Sequence, residues 1–100
     1  MTKRLTKTQR RLMLEIIYDI NDETITNRNN LPEDMPAWFL DWPLWTAGEN
    51  MPGYLQDSPY CLFLTERAAR GYCRELERQG SNGNYVSDMF PTTLREVLAP

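Results

Sequence analysis

Leu12, Met13, Ile16, Ile17 and Ile20 recur at the spacing of an α-helix, and this stripe constrains the fold more than any other feature of the chain. Residues three and four apart share a helix face, so the pattern fixes a buried side that other elements must cover. Thr6 and Gln9 stand at capping-box spacing and mark the start of the helix; the polar pair Asn21-Asp22 ends it. Leu14 and Tyr18 widen the apolar arc beyond one stripe, as in a helix that is either central or covered by a partner. The charges oppose the helix dipole. Lys7, Arg10 and Arg11 crowd the first turns while Glu15, Asp19 and Asp22 sit towards the end. Each such placement costs ~0.3–1 kcal/mol at an exposed site. Solvated helix ends tolerate that cost, and a basic end that meets something acidic would offset it.

Residues 21–31 are polar and Asn-rich, with room for a short strand at Thr24-Ile25-Thr26. Asn30 and Glu33 have capping spacing and Pro32 suits a first turn, so a short helix is expected over Leu31–Leu40, stopped by Pro43. Gly48, Pro52 and Gly53 make residues 46–58 read as a loop. Tyr60-Cys61-Leu62-Phe63-Leu64 reads as a buried strand, and Thr65 as the N-cap of a helix whose stripe is Ala68, Ala69, Tyr72, Cys73 and Leu76. Gly80 fits its C-terminal cap, Ser81–Asn84 a turn, and Tyr85-Val86-Ser87 a strand returning beside residues 60–64. A last short helix, about Thr92–Leu98, offers Leu94, Val97 and Leu98 to the core. The expected fold is α+β: a helix-rich single domain over residues 1–100 with a short strand–helix–strand unit in the C-terminal half. Without the strands, the chain would be mostly α.

One hundred residues can bury about two-thirds of the unfolded surface, enough for one core without metals or disulfides. No apolar run approaches the ~18–20 residues of a membrane span, and Met1-Thr-Lys-Arg leads into polar residues, not a signal-peptide core. The expected location is the cytoplasm, where Cys61 and Cys73 are free thiols.

The chain has no histidine, and so lacks the commonest general base near neutral pH and the commonest metal ligand. Two cysteines cannot complete a tetrahedral zinc site without carboxylates, and a cysteine nucleophile would lack its imidazole. The five glycines form no phosphate loop. Paired carboxylates stand at Asp22-Glu23 and Glu33-Asp34, but neighbouring acids in polar loops are usually solvated. The reading is a protein that is not an enzyme and takes no cofactor or metal.

Charge layout then says more than the net −3. Residues 1–11 hold five basic groups and no acid, whereas residues 15–57 hold nine acids and one base, Arg28. Inside the acidic stretch lies Trp38-Phe39-Leu40-Asp41-Trp42-Pro43-Leu44-Trp45, dense in rings that serve either a core or a contact hot spot. No Lys or Arg occurs from 29 to 66, so these indoles lack the cations of a base-stacking platform. Glu33, Asp34, Trp38, Asp41 and Trp42 are therefore one candidate contact face, acidic and aromatic, suited to a basic surface. The second is Arg67, Arg70, Arg74 and Arg78, spaced along one side of a helix, with Glu66 placed to pair with Arg70 and Glu75 with Arg78.

Phe63-Leu64-Thr65-Glu66, Ala68-Ala69, Tyr85-Val86-Ser87 and Leu94-Arg95-Glu96-Val97-Leu98 resemble a module of small accessory proteins of tailed bacteriophages and prophages. The likeness covers about residues 59–98 and rests on packing motifs. Members often carry histidines and an asparagine along the helix; the matching positions here are Tyr72, Leu76, Arg78 and Gln79, so no role of those groups transfers. What the resemblance implies is a phage accessory protein, a group in which inhibitors of host machinery, anti-CRISPR proteins among them, are prominent. The expected function is steric and electrostatic blockade of a host protein or ribonucleoprotein, such as a CRISPR surveillance complex. A nucleic-acid-binding regulator using the basic start and the arginine row is the alternative. A self-associating structural protein, dimerising through the first helix, is the third.

Overall fold

The computed structural model describes residues 4–50, 60–79 and 86–98. Helix α1, Lys7–Asn21, opens on the expected capping box: Thr6 Oγ1 accepts from the Gln9 amide at 3.1 Å and Gln9 Oε1 from the Thr6 amide at 2.9 Å. Met13, Ile16 and Ile17 are its buried residues. It stops where Glu23 takes a left-handed conformation, φ 62°. That turn lets the Glu23 amide reach the Ile20 carbonyl, and those of Thr24 and Ile25 the Asp19 carbonyl. With two amides so engaged, Thr24–Thr26 forms no strand, contrary to the sequence expectation.

The helix expected over Leu31–Leu40 shrinks to a 3₁₀ turn, Ala37–Asp41. Pro36 explains the loss: it has no N–H to donate, and it disfavours helical geometry at Met35 before it. A smaller 3₁₀ turn, Arg28–Asn30, starts at Asn27, whose side chain accepts from the Asn29 amide at 2.8 Å.

Strand β1, Leu44–Asn50, lies where a loop was expected from residue 46. The rest of that expected loop, residues 51–58, falls outside the described residues. Ala, Gly, Glu and Asn are weak strand formers, and tertiary packing overrides them. β1 is the central strand, flanked by β2, Cys61–Phe63, and β3, Val86–Thr92, in the order β2-β1-β3. Both neighbours are antiparallel to β1, with Thr46 opposite Leu62 on one side and Phe90 on the other. β2 and β3 are thus parallel to each other and joined through α2, Glu66–Gln79. The strand–helix–strand unit is present, but β3 does not pair with residues 60–64; β1 is inserted between them. Thr65 caps α2 as expected, accepting from the Ala68 amide at 3.1 Å. The expected cap at Gly80 and turn at Ser81–Asn84 lie outside the described residues. Thr93 caps α3, Leu94–Val97.

Alternation along the strands gives the sheet two apolar faces. On one, Ala47 packs with Ala69 and Cys73 of α2, bordered by Trp45, Phe63, Tyr72 and Met89. On the other, Leu44 and Leu62 join Met13, Ile16, Ile17, Phe39 and Leu94 in the larger core. Each such side chain, fully buried, contributes ~1.5–3 kcal/mol. The described residues form a small α+β domain of three α-helices and a three-stranded antiparallel sheet. Among the described residues no helix is long and apolar enough to cross a membrane.

Candidate contact surfaces

What each expected contact residue touches decides whether it can meet a partner. Trp38 and Trp42 are half-buried and packed against the larger core. Their rings lie 5.5 Å apart, and Trp38 meets Phe39 edge-on at 4.8 Å. The 3₁₀ turn ends at Asp41, so the two indoles meet around a bend and not along one helix face. Asp41 is held by Arg95 of α3, Nε to Oδ1 at 2.8 Å and Nη2 to Oδ2 at 3.1 Å. That forked hydrogen bond holds the Asp41 carboxyl below its ordinary range. Glu33 and Asp34 remain as exposed acids on a turn closed by the Met35 amide on the Pro32 carbonyl. The acidic, aromatic segment is therefore largely core and brace, with two exposed carboxylates ahead of it.

Arg67, Arg70, Arg74 and Arg78 are all exposed on α2, and Ala69 and Cys73 face the sheet. Arg70 pairs with Glu66 and Arg78 with Glu75, as their spacing predicts. Arg67 and Arg74 make no ion pair among the described residues. A small groove of about 270 Å³ separates the row from β3, where the Ser87 hydroxyl donates to Glu77 Oε1 at 2.7 Å. The Cys73 thiol donates to the Asp88 carbonyl, at 3.7 Å. Neither Cys61 nor Cys73 is in a disulfide.

A third arrangement has no local signature in the sequence. Arg4 and Arg10 border an open groove of about 440 Å³ with Trp42, Trp45, Leu64 and Thr65. The indoles thus have cations beside them, which corrects the inference drawn from the absence of Lys and Arg between 29 and 66. Those cations come from the other end of the chain. The burial of Met13, Ile16 and Ile17 against Leu62 and Leu64 seats the first turns of α1 beside this segment. The mouth also holds the capped N-terminus of α2 at Thr65, where backbone N–H groups carry partial positive charge. Glu66 at the same terminus counters part of that charge. The early excess of arginine and the later excess of tryptophan were both visible in the sequence. Their adjacency was not.

The outer side of α1 forms a fourth surface. Lys7, Arg10, Arg11, Leu14, Glu15, Tyr18 and Asp19 line it, with Leu14 44% and Tyr18 69% exposed. Among the described residues none of another element borders it, so it is an open face of α1. Among the described residues there is no group of three or more His, Cys, Asp or Glu side chains placed to hold a metal ion. No family model, no curated protein and no solved structure matches the chain.

Proposed function

We propose that the protein acts by contact and without turnover, seating an anionic surface of a larger assembly in the Arg4, Arg10, Trp42, Trp45 groove and so blocking it. The observation that carries this reading is the meeting of two guanidinium groups with two indoles in one open groove. Guanidinium offers forked hydrogen bonds to phosphate or carboxylate, and indole offers flat apolar area beside them. Arg and Trp are also the residues that most often anchor interfaces. The phage resemblance of residues 59–98 makes a host ribonucleoprotein, a CRISPR surveillance complex among them, the target of choice. Immobilised protein should retain that complex from host lysate, and Arg4→Glu with Arg10→Glu should abolish retention. If Glu33→Lys with Asp34→Lys abolishes it and the arginine changes do not, the contact face is the acidic turn and the groove reading fails.

The same groove favours a second reading, in which single-stranded nucleic acid itself is the ligand. Strand-binding sites combine cations along the backbone with rings on which bases stack. Titration of tryptophan fluorescence with short oligonucleotides separates the two. Quenching whose affinity falls steeply with salt supports direct strand binding. Retention of the host complex without oligonucleotide binding supports blockade.

A further inference from the structure

We propose that the outer face of α1 is a homodimer interface in which two copies pack antiparallel across a two-fold axis. The face shares Arg10 with the groove, but the inference does not depend on the groove reading. Along that face Lys7, Arg10 and Arg11 come first, Leu14, Glu15 and Tyr18 lie in the middle, and Asp19 stands nearest the C-terminal end. There is no acid in the first turn of α1 and no base in the last. Each helix alone therefore carries its charges against its own dipole, an arrangement that weakens an isolated helix. An antiparallel copy reverses the consequence. Its acidic end lies beside Lys7 and Arg11, its basic end lies beside Glu15 and Asp19, and the two dipoles oppose. Parallel pairing would set like charges together, so the charge order selects both the occupant and its direction. The contact is self-complementary, as a two-fold interface must be, and it closes at two copies.

Size sets the expected strength. A helix of 15 residues is about 22 Å long, so two such faces bury an area at the low end for specific complexes. The dimer is consequently concentration-dependent, and its exposed ion pairs make it weaker in salt. Leu14 and Tyr18 provide the apolar centre, and their exposure in the single chain is the surface that pairing covers.

Sedimentation velocity over micromolar to millimolar protein, at low and high salt, tests the proposal. The dimer fraction should rise with concentration and fall severalfold in high salt. Leu14→Glu with Tyr18→Ser should raise the dissociation constant at least tenfold with an unchanged circular dichroism spectrum, because both positions are solvent-facing. A second pair of variants guards against misfolding and reports orientation. Lys7→Glu with Arg11→Glu makes the face predominantly acidic, and Glu15→Lys with Asp19→Lys makes it wholly basic; each should be monomeric alone and the two should associate when mixed. A wild-type protein that stays monomeric throughout overturns the interface. So does a dimer indifferent to the Leu14 and Tyr18 changes, or charge variants that fail to associate on mixing.

Discussion

The side-chain amide of Asn21 binds both backbone groups of Leu62: its Oδ1 accepts from the Leu62 amide at 2.8 Å and its Nδ2 donates to the Leu62 carbonyl at 3.0 Å. β2 is a three-residue edge strand, and an edge presents unpaired N–H and C=O groups. Asn21 takes the place of a neighbouring strand at that edge and fastens the end of α1 to the sheet. This contact spans 41 positions of sequence, and the side-chain amide supplies both the donor and the acceptor that its two halves need.

Asn21→Ala should therefore destabilise the protein by about 1–3 kcal/mol, the net value of two hydrogen bonds to partly buried backbone. Urea unfolding followed by tryptophan fluorescence measures it. Asn21→Asp keeps the acceptor, loses the donor and should also be destabilised. A midpoint unchanged in the alanine variant would mean that water replaces the amide without loss.

Gly48 permits the close approach of Tyr60. A Cβ at position 48 would lie 2.6 Å from Tyr60 Cδ1 and 3.0 Å from its Cα, so an alanine there must displace both ring and backbone. The Tyr60 ring, just ahead of β2, in turn stacks on Phe90 of β3 at 5.2 Å. Gly48→Ala should cost about 1–3 kcal/mol by overpacking. The cost should fall when Tyr60→Ala is present, giving a coupling of at least ~0.5 kcal/mol in a double-mutant cycle. Additive effects would show that the ring is not what the new methyl meets.

Helices α1 and α2 were legible from local chemistry, because caps and periodicity are local, whereas the helix expected over Leu31–Leu40 is reduced to a 3₁₀ turn after Pro36. Thr6, Thr65 and Thr93 all cap, and Leu94 and Leu98 reach the core as their spacing requires. β1 was not legible. Its Ala47 and Gly48 are poor strand formers chosen for small size, one under α2 and one under Tyr60, and both reasons lie in partners distant in sequence. The same holds for the candidate site. The pairing of Arg70 with Glu66 is a one-turn relation and could be read in advance, whereas Arg4 and Arg10 reach the indoles only through the packing of α1 on the sheet.

Glu23 occupies a left-handed position, φ 62°, at the end of α1, where residues other than glycine are strained. Removing the side chain relieves that strain but loosens the unfolded chain, and the first effect is the larger. Glu23→Gly should raise stability by about 0.5–1 kcal/mol, measured by thermal or urea unfolding. A loss of stability would mean that the Glu23 side chain makes a contribution larger than the strain.

The Asp41–Arg95 contact predicts an acid-dependent component of stability. Arg95 donates two hydrogen bonds to the carboxylate and places a positive charge beside it, and both effects lower the Asp41 pKa in the folded state. A group whose folded pKa lies below its unfolded value adds stability above the unfolded pKa, near 3.8, and loses that contribution as pH falls through the folded pKa. Arg95 stays protonated throughout, its own pKa raised by the same contact, so the window is set by Asp41 alone. Arg95→Gln should leave Asp41 titrating in the ordinary carboxylate range, as followed by its side-chain carboxyl resonance. The stability gap between wild type and Arg95→Gln should be present at neutral pH and should narrow as pH falls below about 4. Both side chains are solvent-exposed, so high salt should shrink the gap as well. A gap that stays constant from neutral to strongly acidic pH would assign the effect of Arg95 to packing on the Ala37–Asp41 turn, not to its charge.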